Sequence, residues 1–171
     1  GLTTFRIDPN NPASQALVQN AATGVVQADG GRVAILADAG SAAQLVVNQQ
    51  GVLRARSLVQ REGEIILGVG SDDRAEMGGV LDASGDVGLR GGKVNITGGG
   101  LYLNDQAVVD VGGATGGGRV DVQATQSVTL AKGAKLNADA RVNGKGGTLN
   151  LQGGPSLRAY GTLQARGAGS G

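Results

Sequence analysis

Asp82 and Asp110 occupy equivalent positions of a repeated motif in this 171-residue chain. Two carboxylates with this spacing are the first candidates for a chemical role. The two aspartates are separated by one repeat, so their carboxylates could share a proton or bind calcium. The same position in the other repeats is held by Gln27, Arg54, Asn137 and Gln164. A position that accepts Arg, Gln and Asn alike is typical of a solvated surface, so we expect no catalytic role here.

Asp72 and Asp73, near Glu76, form a second acidic group. Carboxylate oxygens are ligands that calcium prefers, which makes Asp72 and Asp73 calcium candidates. The Gly-Gly-x-Gly-x-Asp repeat of calcium-binding β-rolls is absent, and adjacent acids in a loop are commonly just solvated. We therefore predict no metal site, with these two residues as the candidates to test.

Tyr102 and Tyr160 are the aromatic residues that could stack on a sugar ring, and they are separated by about two repeats. Packing of exposed tyrosines on neighbouring side chains is the alternative. An enzyme acting on polysaccharide would need clustered carboxylates, usually with a basic residue and a stacking aromatic. That combination is missing, so we predict a protein that is not an enzyme and has no cofactor.

The composition excludes further classes of function. The chain has no Cys and no His, which excludes disulfides, thiolate chemistry and Ser-His-Asp triads. Its net charge of +1 without a basic cluster argues against a nucleic-acid partner. No apolar run approaches the ~20 residues of a transmembrane helix.

A repeat positions these residues. One four-residue motif begins at residues 25, 52, 80, 108, 135 and 162, in steps of 27 or 28. A second motif places a Gly pair before alternating apolar and polar residues, as at Gly91–Gly98, which is the pattern of a strand with one face in a core. The aliphatic residues predicted to point inward are Val33, Ile35, Ile65, Leu67, Val94, Ile96, Val120, Val122, Leu149 and Leu151.

A third, weaker strand lies between these motifs, as at Leu101–Leu103. Propeller blades need about 40 residues and a meander needs a tight hairpin between every strand pair, whereas a solenoid explains why equivalent residues are alike. We predict an all-β, right-handed parallel β-helix with three strands per coil, a repeat of 27–28 residues and about six coils. Residues 1–171 form one segment, with an entry strand and partial coil at 1–23, regular coils at 24–165 and a tail at 166–171 leading to further repeats.

Asn20, Asn48 and Asn104 are spaced by one repeat and then by two, and they predict an asparagine ladder at one corner, because Asn tolerates left-handed backbone and stacked amides bond to one another. The unit between them carries Glu76 at this place. Its stretch Gly70–Gly79 is polar and charged, which predicts a looser corner there.

Motifs such as Gln15–Asn20 and Gly24–Val33, in a stretch that runs from about Leu2 to Ala124, resemble the filamentous haemagglutinin family of large exoproteins. The resemblance is carried by Gln15–Asn20, Gly24–Val33, Val46–Asn48, Gly51–Leu58, Gly79–Gly85 and Gly117–Val120. Members are β-helical rods of Gram-negative bacteria, exported by a dedicated outer-membrane transporter in two-partner secretion. The resemblance implies a segment at the end of the secretion domain and the first coils beyond it; the Asn-Pro-Asn-Gly motif of that domain is absent.

Three hypotheses follow. The first is a structural rod of a secreted, cell-surface adhesin that supports cell–cell, biofilm-matrix exopolysaccharide or host attachment. The alternative within the family is the stick of a contact-dependent growth inhibition toxin or a haemolysin. From other classes, the rod could bind exopolysaccharide or host glycan directly, or the β-helix could carry a polysaccharide-acting enzyme, which the missing site disfavours. The parent protein would make the contact with the outer-membrane transporter.

Overall fold

The computed structural model describes residues 2–6, 18–38, 45–59 and 61–169, and for Leu2–Arg6 it describes the backbone. Throughout these ranges the named elements are strands, joined by turns and bends, and no helix occurs in them. Every pairing between named strands is parallel. The coils stack into a β-solenoid of about five turns, which confirms the predicted fold class.

The second of the two sheets contains all six copies of the four-residue motif. Numbered in chain order with the rest, its strands are β3 (Val25–Gln27), β6 (Val52–Arg54), β9 (Val80–Asp82), β11 (Val108–Asp110), β13 (Lys135–Asn137) and β16 (Thr162–Gln164). Each strand pairs with the next in register, as Val80 does with Val52 and Val108. The spacing of the motif along the chain is therefore the register of the sheet. Six stacked strands enclose five intervals, which is why about five turns replace the six coils expected.

The first sheet holds two series of strands side by side. One series is β1 (Leu2–Arg6), β4 (Arg32–Ala37), β7 (Glu64–Val69) and β14 (Thr148–Gly153), and the other is β2 (Val18–Asn20), β5 (Leu45–Gln49), β8 (Arg74–Met77) and β15 (Ser156–Ala159). Two long strands, β10 (Lys93–Leu103) and β12 (Arg119–Leu130), belong to both series.

These long strands change two details of the prediction. Because β10 and β12 each run through both series, three separate strands in every coil are not confirmed. The stretch Gly70–Gly79 is also more regular than expected. It contains β8, which pairs on both sides, with β5 and with β10.

The core runs through the middle of the stack as rows of aliphatic side chains. Alternation along β10 places Val94 and Ile96 inside, each 0% exposed, and Lys93 on the outside. Eight of the ten predicted inward residues are at most 1% exposed. Leu149 and Leu151 are only partly buried, because among the described residues their strand β14 has a neighbouring coil on one side alone.

The Gly pairs mark corners where two coils approach at backbone level. At Gly118, a β-carbon would overlap the carbonyl oxygen of Gly92, and at Gly92 it would overlap that of Gly63. Gly92 and Gly118 each donate a 2.7 Å backbone hydrogen bond across the corner, to the carbonyls of Ala83 and Val111. A side chain at either position would separate the coils, which explains why glycine precedes these strands.

Candidate sites on the outer surface

Asp82 and Asp110 do stack in register on neighbouring strands of the second sheet. Asp82 accepts hydrogen bonds from the backbone N–H of Ser84 at 3.1 Å and from its hydroxyl at 2.6 Å. The guanidinium groups of Arg54 and Arg56 lie 3.4 and 3.8 Å from its carboxylate. This carboxylate is thus held by donors of its own coil and of the preceding coil.

Asp110 has a separate set of partners. It accepts hydrogen bonds from the N–H of Gly112 at 2.8 Å and from the amide of Asn137 at 3.0 Å. Arg141 forms an ion pair with its other oxygen at 2.6 Å. Both stacked aspartates are therefore compensated by arginine and by N–H donors, an arrangement that stabilises the corner.

A ladder of side-chain to backbone hydrogen bonds runs along this corner, and the sequence reasoning missed it. Asn137 accepts from the N–H of Asp139 two residues on, as Asp82 and Asp110 accept from theirs. Asp139 accepts in turn from the N–H of Arg166, one coil further, at 2.7 Å. The signal was present as Asp82, Asp110 and Asn137 at the third position of three of the six motif copies, since Asp and Asn cap extended strands with such bonds.

Two aspartates of the outer surface have perturbed acidity. A hydrogen bond from Arg166 is the main cause that lowers the pKa of Asp139, and desolvation opposes it. A hydrogen bond from Arg119 likewise lowers the pKa of Asp121, on the outer face of β12. Since each carboxylate is held ionised by an arginine, both groups are surface ion pairs and neither is poised as a general acid.

The calcium candidates Asp72 and Asp73 differ in environment. Asp72 is exposed and accepts a 3.4 Å hydrogen bond from Gln126, two coils away in sequence. Asp73 is fully buried, contrary to the expected solvated loop. A β-carbon at Gly70 would lie 2.6 Å from an oxygen of Asp73 and 2.8 Å from one of Asp38, so these two carboxylates flank that glycine.

No group of three or more Asp, Glu, His or Cys able to hold a metal ion occurs in the part of the chain that the structure describes. Glu76, the third acid of this group in the sequence, is used elsewhere. It accepts a 3.1 Å hydrogen bond from the amide of Asn104. The expectation of no calcium site at Asp72 and Asp73 stays a prediction to be tested.

The asparagine ladder of Asn20, Asn48 and Asn104 is wrong in register. Asn20 pairs with Gln49, and Asn48 pairs with Gln19 on one side and Glu76 on the other. Asn104 follows the end of β10 and begins a four-residue turn, where its side chain accepts from the N–H of Gln106.

The physical reason is that the corners have two lengths. Two residues separate β5 from β6, but four separate β10 from β11, where a turn closed by the N–H of Ala107 on the carbonyl of Asn104 is inserted. Asn48 and Asn104 therefore lie at the same distance along the chain before β6 and β11, but Asn48 is inside strand β5 and Asn104 is inside the corner after β10. Equal spacing along the chain did not guarantee equal places in the coil.

The two tyrosines do not form one platform. Tyr102 lies on the outer face of β10, 43% exposed, between Glu76 and Thr129 of the flanking strands. It lines a cavity of about 350 Å³ together with Arg74. Tyr160 is 64% exposed and lies in the corner after β15, level with the residue that follows β12. Their rings occupy different rows of the solenoid.

A larger concave surface, which encloses a volume of about 590 Å³, crosses the centre of the first sheet. Its polar side chains include Thr97, Gln123 and Gln152, which follow one another in register on β10, β12 and β14. Ser71 and Thr125 lie at its edge, joined by a hydrogen bond from the hydroxyl of Thr125 to the carbonyl of Ser71. This surface offers hydrogen-bonding groups, but its lining includes no carboxylate and no aromatic ring.

The fold and these surfaces define a β-solenoid in which Asp82, Asp110 and Asp139 are paired with arginines along one corner. Searches against protein-family models, curated proteins and solved structures found no match to this chain. The resemblance to filamentous haemagglutinins therefore stays a prediction. Among the described residues, no helix is long and apolar enough to cross a membrane.

Proposed function

We propose that this chain is a structural rod segment of a secreted, cell-surface adhesin exported by two-partner secretion. The observation that carries the proposal is the contrast between a constant interior and a variable exterior. The interior keeps an aliphatic row through every coil, such as Leu53, Leu81 and Leu136 of the second sheet. Such a scaffold suits reach and display, because its stability comes from stacking and places few demands on surface residues.

The exterior gives the complementary argument. The outer row that ends the second-sheet strands changes from Arg54 through Asp82 and Asp110 to Asn137. A catalytic or receptor site needs several fixed groups converging on one point. The acidic members of this row are instead engaged by arginines and backbone N–H groups, as described above, which favours a rod over an enzyme.

The parent protein would support cell–cell, biofilm-matrix exopolysaccharide or host attachment at the surface of a Gram-negative bacterium. The basis for this part is the family resemblance of segments such as Gly24–Val33 and Gly51–Leu58. A contact-dependent toxin or haemolysin of that family would use the same rod, and its distinguishing parts would lie outside these residues.

Direct glycan binding by the rod is the second candidate, favoured by the in-register row of Thr97, Gln123 and Gln152 in the concave surface of the first sheet. Isothermal titration of the chain with bacterial exopolysaccharide separates the two functions. The rod proposal expects no saturable heat. Saturable binding that Gln123→Ala weakens would assign the receptor role to the rod itself.

Localisation is tested on the source bacterium with antibodies raised against the folded chain. A rod of an exported adhesin predicts that intact, unpermeabilised cells are labelled and that the antigen is found in the culture supernatant. Antibodies against a cytoplasmic enzyme serve as the control for lysis. Labelling that requires permeabilisation would contradict an exported rod.

A further inference from the structure

Exposed valines follow one corner of the solenoid, and they belong neither to the core nor to the ladder of side-chain to backbone hydrogen bonds. Ser57, Gly85, Gly113 and Ala140 occupy the same place in four successive coils, linked by two parallel bridges and by the hydrogen bond from the N–H of Gly85 to the carbonyl of Gly112. Two residues beyond them lie Val59, Val87, Thr115 and Val142. We call Val59, Val87 and Val142 the valine ridge.

The ridge is unusually open to solvent. Val59 is 77% exposed, Val87 95% and Val142 69%, and Leu58 beside Val59 is 51% exposed. Single exposed apolar residues are ordinary on protein surfaces. Val59 and Val87 follow bridged residues of adjacent coils, and Val142 follows two coils further on, with Thr115 at the position between them. The ridge is therefore a set of separate apolar tips on loops of one corner.

Cations accompany the ridge in the same loops. Arg61, Arg90 and Lys145 are exposed, and no carboxylate among the described residues forms an ion pair with them. The two acids of these loops are already engaged: Glu62 lies 3.1 Å from Lys93, and Asp86 pairs with Arg56. The edge thus combines apolar tips with uncompensated positive charge.

A recess between the loops brings two of these cations together. It measures about 440 Å³, and its lining includes Arg61, Arg90, Leu58 and Leu89 as well as Glu62, whose carboxylate pairs with Lys93. Two guanidinium groups over a partly apolar floor suit a phosphate group that carries an acyl-bearing tail. Because the valines project outward and do not line a groove, they suit a fluid partner that can deform around them.

From these features we propose that the valine ridge docks the solenoid lengthwise on an anionic lipid bilayer. Val59, Val87 and Val142 enter the boundary between headgroups and acyl chains, and Arg61 and Arg90 bind a headgroup phosphate in the recess between their loops. Apolar insertion and attraction to anionic lipid reinforce each other in such peripheral binding. The charge pattern favours lipid over a second copy of this chain, whose matching edge would carry the same unpaired cations.

Flotation of the 171-residue chain with vesicles tests the proposal. We expect it to float with phosphatidylcholine vesicles that contain phosphatidylglycerol, and not with phosphatidylcholine alone. The Val59→Ser, Val87→Ser and Val142→Ser triple variant should bind on the order of tenfold more weakly. The matched control is Val25→Ser, which replaces a 61% exposed valine away from the ridge and should bind as the unmodified chain does.

The charge contribution is tested by a second pair of variants. Arg61→Gln with Arg90→Gln should weaken binding about twenty-five-fold, at about fivefold for each cation removed. Lys132→Gln with Arg158→Gln removes the same charge elsewhere and should change binding less than about threefold. Far-UV circular dichroism of each variant must match that of the unmodified chain for the comparison to count.

Four results would overturn the proposal. The chain could fail to float with phosphatidylglycerol vesicles, or it could float equally well after loss of the three valines. Equal losses in the two charge variants would show general adsorption by net charge, with no headgroup site in the recess. A dimer in sedimentation velocity that the triple valine variant abolishes, without vesicle binding, would assign the ridge to a second copy.

Discussion

Replacing a leucine in the middle of the stack should cost far more stability than replacing its equivalent in the last described coil. Leu81 is 1% exposed and lies in register between Leu53 and Val109, so coils enclose it on both sides. Leu163 belongs to the same inner row, pairs with Leu136 alone among the described residues, and is 43% exposed. The two substitutions to alanine remove the same atoms from the same face of the same sheet.

The magnitudes follow from burial. Leu→Ala at an enclosed site loses the transfer free energy of three carbons and leaves a cavity, which together cost roughly 3–5 kcal/mol. At Leu163 nearly half of the side chain already contacts water and the space left is open to solvent, so we expect a loss of about 1 kcal/mol. The ratio between the two variants, about three or more to one, is the quantity that the stacked-coil core predicts.

Urea unfolding followed by far-UV circular dichroism measures both free energies against the unmodified chain. The expected result is a large shift of the unfolding midpoint for Leu81→Ala and a small one for Leu163→Ala. Equal costs for the two variants, or a cost below about 1 kcal/mol for Leu81→Ala, would refute the reasoning, because neither fits a leucine enclosed by coils on both sides.

Three further predictions concern the corners and the charges. Gly118→Ala should lower the free energy of unfolding in urea by more than about 2 kcal/mol, because its β-carbon would overlap the carbonyl oxygen of Gly92. The control Gly100→Ala meets only the movable side chain of Arg74, at 3.2 Å, and should change stability by less than about 1 kcal/mol. Equal costs would contradict the close approach of the two coil backbones at Gly118. The lowered pKa of Asp139 means that its bond to Arg166 stabilises the fold above the unfolded-state pKa of about 3.9 and is lost as the pH falls through the lower folded-state pKa. Asp139→Asn should therefore be less stable than the unmodified chain at pH 7, with a gap in urea midpoints that closes below about pH 4; a gap constant down to pH 2 would be incompatible with this ion pair. Differential scanning calorimetry should give the same melting temperature in calcium and in chelator, and a calcium-dependent rise that Asp72→Asn removes would establish the site that we do not expect.

The period of the solenoid could be predicted from the sequence because one strand of each coil has a constant length and a constant pattern. The steps from Val52 to Val80 and from Val80 to Val108 are the register of the second sheet. Inward aliphatics at alternate positions, such as Val94 and Ile96, left a single choice for which face points into the core.

What the sequence could not show depends on the corners. The difference of two residues between the corner after Gln49 and the corner after Leu103 carries no hydrophobic signal, and it displaced the predicted asparagine ladder. The fusion of two strands into β10 was hidden for a related reason. Glycine is common in turns, yet the backbone passes through Gly98–Gly100 as a strand with a shift of register.

The sequence predicted the places of the candidate site residues better than it predicted the groups that contact them. Spacing alone placed Asp82 and Asp110 on neighbouring strands. It could not show that Arg56 and Arg141 reach them, because long side chains approach from loops whose path no repeat pattern specifies. The burial of Asp73 was unexpected for the same reason, since it depends on how the turn at residues 70–73 folds against the coil.

In-register stacking of the repeated coils is the central claim, and cysteine cross-linking tests it most directly because the chain has no native cysteine. Val80 and Val108 are in register on adjacent strands, at a Cα separation of about 4.8 Å that a disulfide can span. Lys135 lies one coil further, about 10 Å from Val80 and beyond that reach. The account predicts that Val80→Cys with Val108→Cys forms the intramolecular disulfide in mild oxidant and that Val80→Cys with Lys135→Cys does not. Failure of the first pair to cross-link, or equal cross-linking of both, would contradict the stacked coils.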